Sequence, residues 1–143
     1  MNQTPKAPVH LWIVGVVSLL WNAVGAFDYS ASELRYEPYM SQFTQQQLDY
    51  FYAFPSWVVA CWAIGVWGAF LGSILLLARK TLAVWLFGAS IIGLAGTTVY
   101  NFLLADGLAI MGAGGAAFSG VIWLIALFLF FYAQAMAKRG FLR

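Results

Sequence analysis

"LWIVGVVSLLWNAVGAFDY", residues 11–29, carries no charge from Leu11 to Phe27 and then meets Asp28. A helix crossing a bilayer needs roughly 20 predominantly apolar residues. The run reaches that length when it is extended back to Pro8. Three further uncharged runs follow, 50–78, 81–105 and 107–137. Pro55 places the start of the second span near Ser56. The front of the last run, "GLAIMGAGGAAFSG", is so rich in Gly that it reads as a loop or frayed turn, with a helix from about Ala116. The expected spans are therefore about 8–27, 56–78, 81–105 and 116–137.

Lipid offers no partners to backbone N–H and C=O groups, so a spanning chain must be helical or a closed barrel. Barrel strands are short and alternate, and these runs do not. The reading is a single all-α transmembrane domain over 1–143, with four helices in a bundle. Composition agrees. The chain is 63% hydrophobic and 8% charged, whereas a soluble domain needs roughly 25% charged residues to cover itself. The partner that solvates it is the lipid bilayer. A net charge of +2 is too small to suggest nucleic acid. No small-residue cleavage site precedes a soluble mature chain, so the first run reads as a span and not a signal peptide.

Orientation follows from the charges. Lys6 precedes the first span, Arg79 and Lys80 separate the second and third, and Lys138, Arg139 and Arg143 follow the fourth. All five acids lie in the other two connections: Asp28, Glu33, Glu37, Asp49 and Asp106. Only Arg35 breaks the separation. The positive-inside rule puts the basic connections and both termini in the cytoplasm of a bacterial inner membrane. The even number of spans agrees.

The long first connection, 28–55, is more than linker. "FTQQQLDYF" reads as a helix start, with Thr44 and Gln47 as a capping box and Phe43 stapled to Leu48. "SASE", Ser30 to Glu33, offers a second box, and Pro38 is expected to stop that turn. Abundant Tyr, Phe and Trp suit the headgroup layer. Short amphipathic helices on the outer surface are expected, serving either as an interfacial collar or as a lid.

Small residues let helices approach in lipid. Gly65, Gly68 and Gly72 form one such stripe and Gly93 and Gly96 another. Either they pack the bundle, or one of them faces a second copy or another protein. Asn22 raises a different question, because an unpaired amide in hydrocarbon costs a few kcal/mol. At about 1.5 Å per residue it lies about 9 Å below Asp28, and Asn101 lies about 7 to 8 Å below Asp106. Asn22 bonded across to Tyr100 and Asn101 would satisfy the amide. The same residues, with Asp28 and Asp106 at the mouth, would also make a polar pocket for a neutral polyol or another small polar ligand.

No chemistry beyond that is legible. His10 is the single histidine and Cys61 the single cysteine, so no metal cluster, disulfide or catalytic triad is expected, no cofactor is implied, and the chain does not read as an enzyme. The spans carry no charge at mid-depth, which argues against an ion-coupled pump. The pieces "LWIVGVVSLLWNAVGAFDY", "FPSWVVACWAIGVWG" and "TTVYNF" resemble small four-span bacterial inner-membrane proteins loosely catalogued as sugar transporters. That resemblance implies a transport role and no particular binding residue. The functional expectation is a multipass inner-membrane protein that binds or helps move a small polar solute, as a homo-oligomer or within a larger membrane complex. The alternative is a non-transporting accessory or scaffold subunit of such a complex.

Overall fold

A computed structural model describes residues 5–143, and every regular element in them is helical. α1 is Val9–Glu33, α2 Glu37–Met40, α3 Gln45–Tyr52, α4 Ser56–Leu77, α5 Leu82–Val99 and α6 Gly107–Lys138, with a π-helical turn, Tyr100–Leu104, continuing α5. Four helices are long and apolar enough to cross a membrane: α1, α4, α5 with its π turn, and α6.

Three helix ends differ from the sequence expectation. α1 does not stop near Phe27. It continues to Glu33, so Ser30 to Glu33 form its last turn and not a second capping box. No helix breaker lies between Phe27 and Glu33, and Asp28 is accommodated because its carboxylate accepts the Tyr39 hydroxyl. The stop comes at Arg35, which takes the left-handed conformation (φ 53°) while the Tyr36 N–H bonds back to the Ala31 carbonyl at 2.8 Å. That is a Schellman closure, normally made with Gly. Pro38 starts a turn where it was expected to stop one: it falls at the N-terminus of α2, where its missing N–H costs nothing. α6 begins at Gly107, well before Ala116. Its Gly-rich front is helical and broken once, at Gly112 (φ 76°, ψ −175°), a conformation essentially restricted to Gly.

The local signal at Thr44 is present as a full capping box. Its hydroxyl accepts the Gln47 N–H and the Gln47 side chain accepts the Thr44 N–H, both at 3.1 Å.

α1 packs on α4, α4 on α5, and α5 on α6. α1 and α6 meet through side chains, His10 with Tyr132 and Trp21 with Phe118. The closest approach is between α4 and α5, and the Gly stripes make it. A methyl group placed on Gly93 would stand 2.4 Å from the Cys61 carbonyl oxygen and 2.6 Å from the Gly65 nitrogen. Gly68 abuts the Leu86 carbonyl and Ser90, Gly72 the ring of Phe87, and Gly96 the Cys61 sulfur. Ser90 Oγ donates to the Gly65 carbonyl at 2.6 Å across the same contact. All five stripe glycines are thus used inside the chain.

The basic end is closed by Arg79. It too is left-handed (φ 58°). Its Nε donates to the Phe141 carbonyl at 2.9 Å, and its guanidinium also reaches the Pro5 carbonyl. The Thr81 N–H bonds to the Arg143 carbonyl at 3.0 Å, and the Arg143 N–H to the Arg79 carbonyl at 2.9 Å. Leu142 is buried there with Leu11, Leu76, Phe87 and Met136. One arginine therefore ties both chain-end segments to the α4–α5 turn.

Candidate functional site

The five residues expected to share a polar pocket fall into separate places. Asn22 is buried between α1 and α4. Its Nδ2 donates to Ser73 Oγ at 2.8 Å and to the Ala69 carbonyl at 3.2 Å. Ser73 in turn donates to Ala69 at 2.9 Å. The expected bond from Asn22 to Asn101 is not formed. α1 packs on α4 and α4 on α5, and the two amides are not at matched depth, since Asn22 meets the Ala69–Ser73 end of α4 while Tyr100, beside Asn101, meets Trp57 at the other end. Asn101 sits in the π turn. Its Nδ2 donates to the Thr97 carbonyl at 2.9 Å and its Oδ1 accepts the Tyr50 hydroxyl from α3. Tyr100 packs against Tyr50, Phe54 and Trp57. Asp28 holds Tyr39, and Asp106 is exposed at the start of α6.

This redistribution makes a sharp expectation. A double-mutant cycle between Asn22→Leu and Ser73→Ala, read by thermal unfolding in detergent, should show a coupling of about 0.6 to 2 kcal/mol. The same cycle between Asn22→Leu and Asn101→Leu should show none. Coupling in the second and not the first would mean that Asn22 faces α5.

Asn101 and Tyr50 hold the connection down on the acidic end. Burial, the neighbouring Tyr100 and the Asp106 charge push the Tyr50 hydroxyl up to about 12, so it stays protonated and donating near neutral pH. Gly107 is required here, since a methyl group on it would stand 2.5 Å from the Asn101 carbonyl oxygen and 3.0 Å from the Tyr50 hydroxyl. Tyr39 makes a second tether. Burial and the Asp28 carboxylate raise its hydroxyl far above the ordinary tyrosine range, so that bond also survives across physiological pH. Between the tethers the rings meet edge to face, Tyr39 on Phe43, Phe43 on Phe51, and Phe54 on Trp62. Such pairs contribute roughly 0.5–1.5 kcal/mol each beyond their burial.

A cavity of about 140 Å³ opens under this connection. Ser32 and Glu33 at the end of α1, Arg35 just after it, Phe51, Tyr52 and Phe54 from the α3 side, and Val59 and Trp62 of α4 line it. The Arg35 guanidinium carbon lies 4.0 Å above the Tyr52 ring, within the range of a cation–π contact. The walls thus combine aromatic faces with one carboxylate, one guanidinium and the hydroxyls of Ser32 and Tyr52.

No family model, curated protein or solved structure matches this chain.

The site therefore stands on its own residues. Sequence reasoning missed this cavity because Ser32 and Glu33 read as part of a capping box outside the helix. One signal did point to it. Arg35 is the single basic residue in a connection that otherwise holds only acids. Among the described residues no group of three or more His, Cys, Asp or Glu side chains is placed to hold a metal ion.

Proposed function

We propose that this chain is a multipass protein of a bacterial inner membrane, with its four long helices crossing as a bundle and both termini in the cytoplasm, that binds a small polar solute on the outer face. The observation that carries the reading is the cavity bounded by Ser32, Glu33, Arg35 and the aromatic side chains above α4. A site of few polar groups set among aromatic walls is the ordinary form of a small-molecule pocket. The resemblance to proteins catalogued as sugar transporters supports a solute-handling role in general terms.

Below this cavity several polar side chains are already engaged. Asn22 is bound to Ser73 and Ala69, Ser90 to Gly65, and Trp123 to Thr98. Movement of solute through the membrane would then need a second copy or a larger partner, with this chain supplying recognition. In the scaffold alternative the partner would have to dock on other faces, because the five stripe glycines pack α4 against α5.

The test is binding in lipid nanodiscs, followed by Trp fluorescence, against Val59→Phe. That change fills the cavity with an apolar ring that lipid tolerates, so insertion and folding should persist. Small polar solutes should bind the natural protein and not the filled variant. Equal binding by both would place the solute elsewhere.

A further inference from the structure

Two arginines in this chain occupy the left-handed conformation that helix closures normally give to Gly, Arg35 at φ 53° and Arg79 at φ 58°. A side chain there is strained. Strain of that kind persists only where the surroundings require it, and it clusters at ligand sites. Arg79 answers the question locally, since its guanidinium holds the carbonyls of Pro5 and Phe141. Arg35 has no such employment. Among the described residues its guanidinium donates to no protein oxygen, and its central carbon lies 4.0 Å from the centre of the Tyr52 ring at the cavity wall. The contact with the ring places the charge at the cavity and leaves its N–H groups without a protein acceptor among the described residues.

The same turn sets the position of Glu33. On a continuing helix, residues two apart do not face each other. Because Arg35 turns left-handed immediately after α1, Glu33 and Arg35 line one cavity. Both side chains are exposed, so neither is withdrawn from an incoming molecule. The cavity thus offers one positive fork and one negative charge, with the Ser32 hydroxyl and the rings of Phe54 and Trp62 around them.

We infer that the solute taken here is a small zwitterion, its carboxylate held by the Arg35 guanidinium and its ammonium by Glu33 against the aromatic wall. A planar guanidinium pairs with a carboxylate through two parallel hydrogen bonds. Aromatic faces favour a desolvated cation. Volume sets the size. The cavity measures about 140 Å³, close to the roughly 150 Å³ void that accommodates benzene. It suits an amino acid between alanine and proline in size. This inference rests on the proposed outer-face site and narrows what that site takes.

The experiment uses the full chain in nanodiscs with five probes: L-alanine, L-proline, propionate, propylamine and glycerol. The two amino acids should bind, and each singly charged analogue at least about tenfold more weakly. Glu33→Gln should lower amino-acid affinity by a similar factor. The decisive variant is Arg35→Gly. Glycine suits the left-handed turn better than arginine, so this protein should melt no lower than the natural one and still lose amino-acid binding. Undiminished binding by Arg35→Gly, or amino acids that fail to bind the natural chain, would overturn the assignment. If glycerol binds where the amino acids do not, the zwitterion reading falls and the solute site stands. If none of the five probes binds, both fall.

Discussion

Gly93→Ala should be the most damaging single methyl group in the chain. The added carbon would stand 2.4 Å from one backbone atom of α4 and 2.6 Å from another, and backbone cannot rotate out of the way. The helices must separate. That weakens the Ser90–Gly65 hydrogen bond and the contacts of Gly68 and Gly96 at the same time. Overpacking usually costs 1–3 kcal/mol, and a clash with two backbone atoms of the facing helix belongs at the upper end, about 3 kcal/mol. In lipid no hydrophobic gain offsets the loss, because tails are as apolar as side chains. Gly25→Ala is the matched control, since nothing lies within 4 Å of its added methyl. It should leave the melting temperature unchanged or slightly raised in the same detergent. Equal melting of the two variants would show that α4 and α5 do not touch through Gly93.

Arg79→Ala should open the basic end. It removes two charge-assisted hydrogen bonds to carbonyls, from Phe141 and Pro5, each of a class contributing about 1.5–3 kcal/mol. Arg79 is half-buried, so solvent screens part of this and a total loss of about 2–3 kcal/mol is expected. Arg79→Gly loses the same bonds but relieves the left-handed turn, and should recover about 1 kcal/mol. The order of thermal stability should therefore be natural protein, then Arg79→Gly, then Arg79→Ala. An Arg79→Ala protein that melts with the natural one would mean that the segments around Pro5 and Phe141 are not held by this side chain.

The four long helices were legible because lipid imposes length and apolarity on every span, and both are visible in a string of letters. The Thr44–Gln47 box was legible for a second reason, since its partners are three residues apart. Asn22 shows where that legibility ends. Neither its depth nor its direction around the helix axis followed from helix rise. α1 runs on past Asp28 to Glu33, and Asn22 meets Ala69 and Ser73 toward one end of α4 while Tyr100, beside Asn101, meets Trp57 at the other. The stripe glycines follow the same logic. Their close approach could be expected from size, but which helix approaches depends on packing order. Arg35 was visible as an exception to the charge pattern. Its left-handed turn was not, because the usual marker of such a turn is a glycine, and here there is none.

The single break in α6 has a mechanical consequence. At about 1.5 Å per residue, the 32 residues of α6 rise about 48 Å, far more than a hydrocarbon layer of about 30 Å. A stiff rod of that length must lean steeply or thicken the surrounding lipid. Gly112 divides it into a short front piece and a long rear one, and no atom lies close enough to a methyl group there to brace the joint. Compliance along the bilayer normal is thus concentrated in one residue. The front piece is anchored where Gly107 abuts Asn101, while the rear piece carries the packing against α5. Mismatch with membranes of different thickness can be absorbed as a change of angle at Gly112, leaving the tethered connection and the cavity beneath it at a fixed depth.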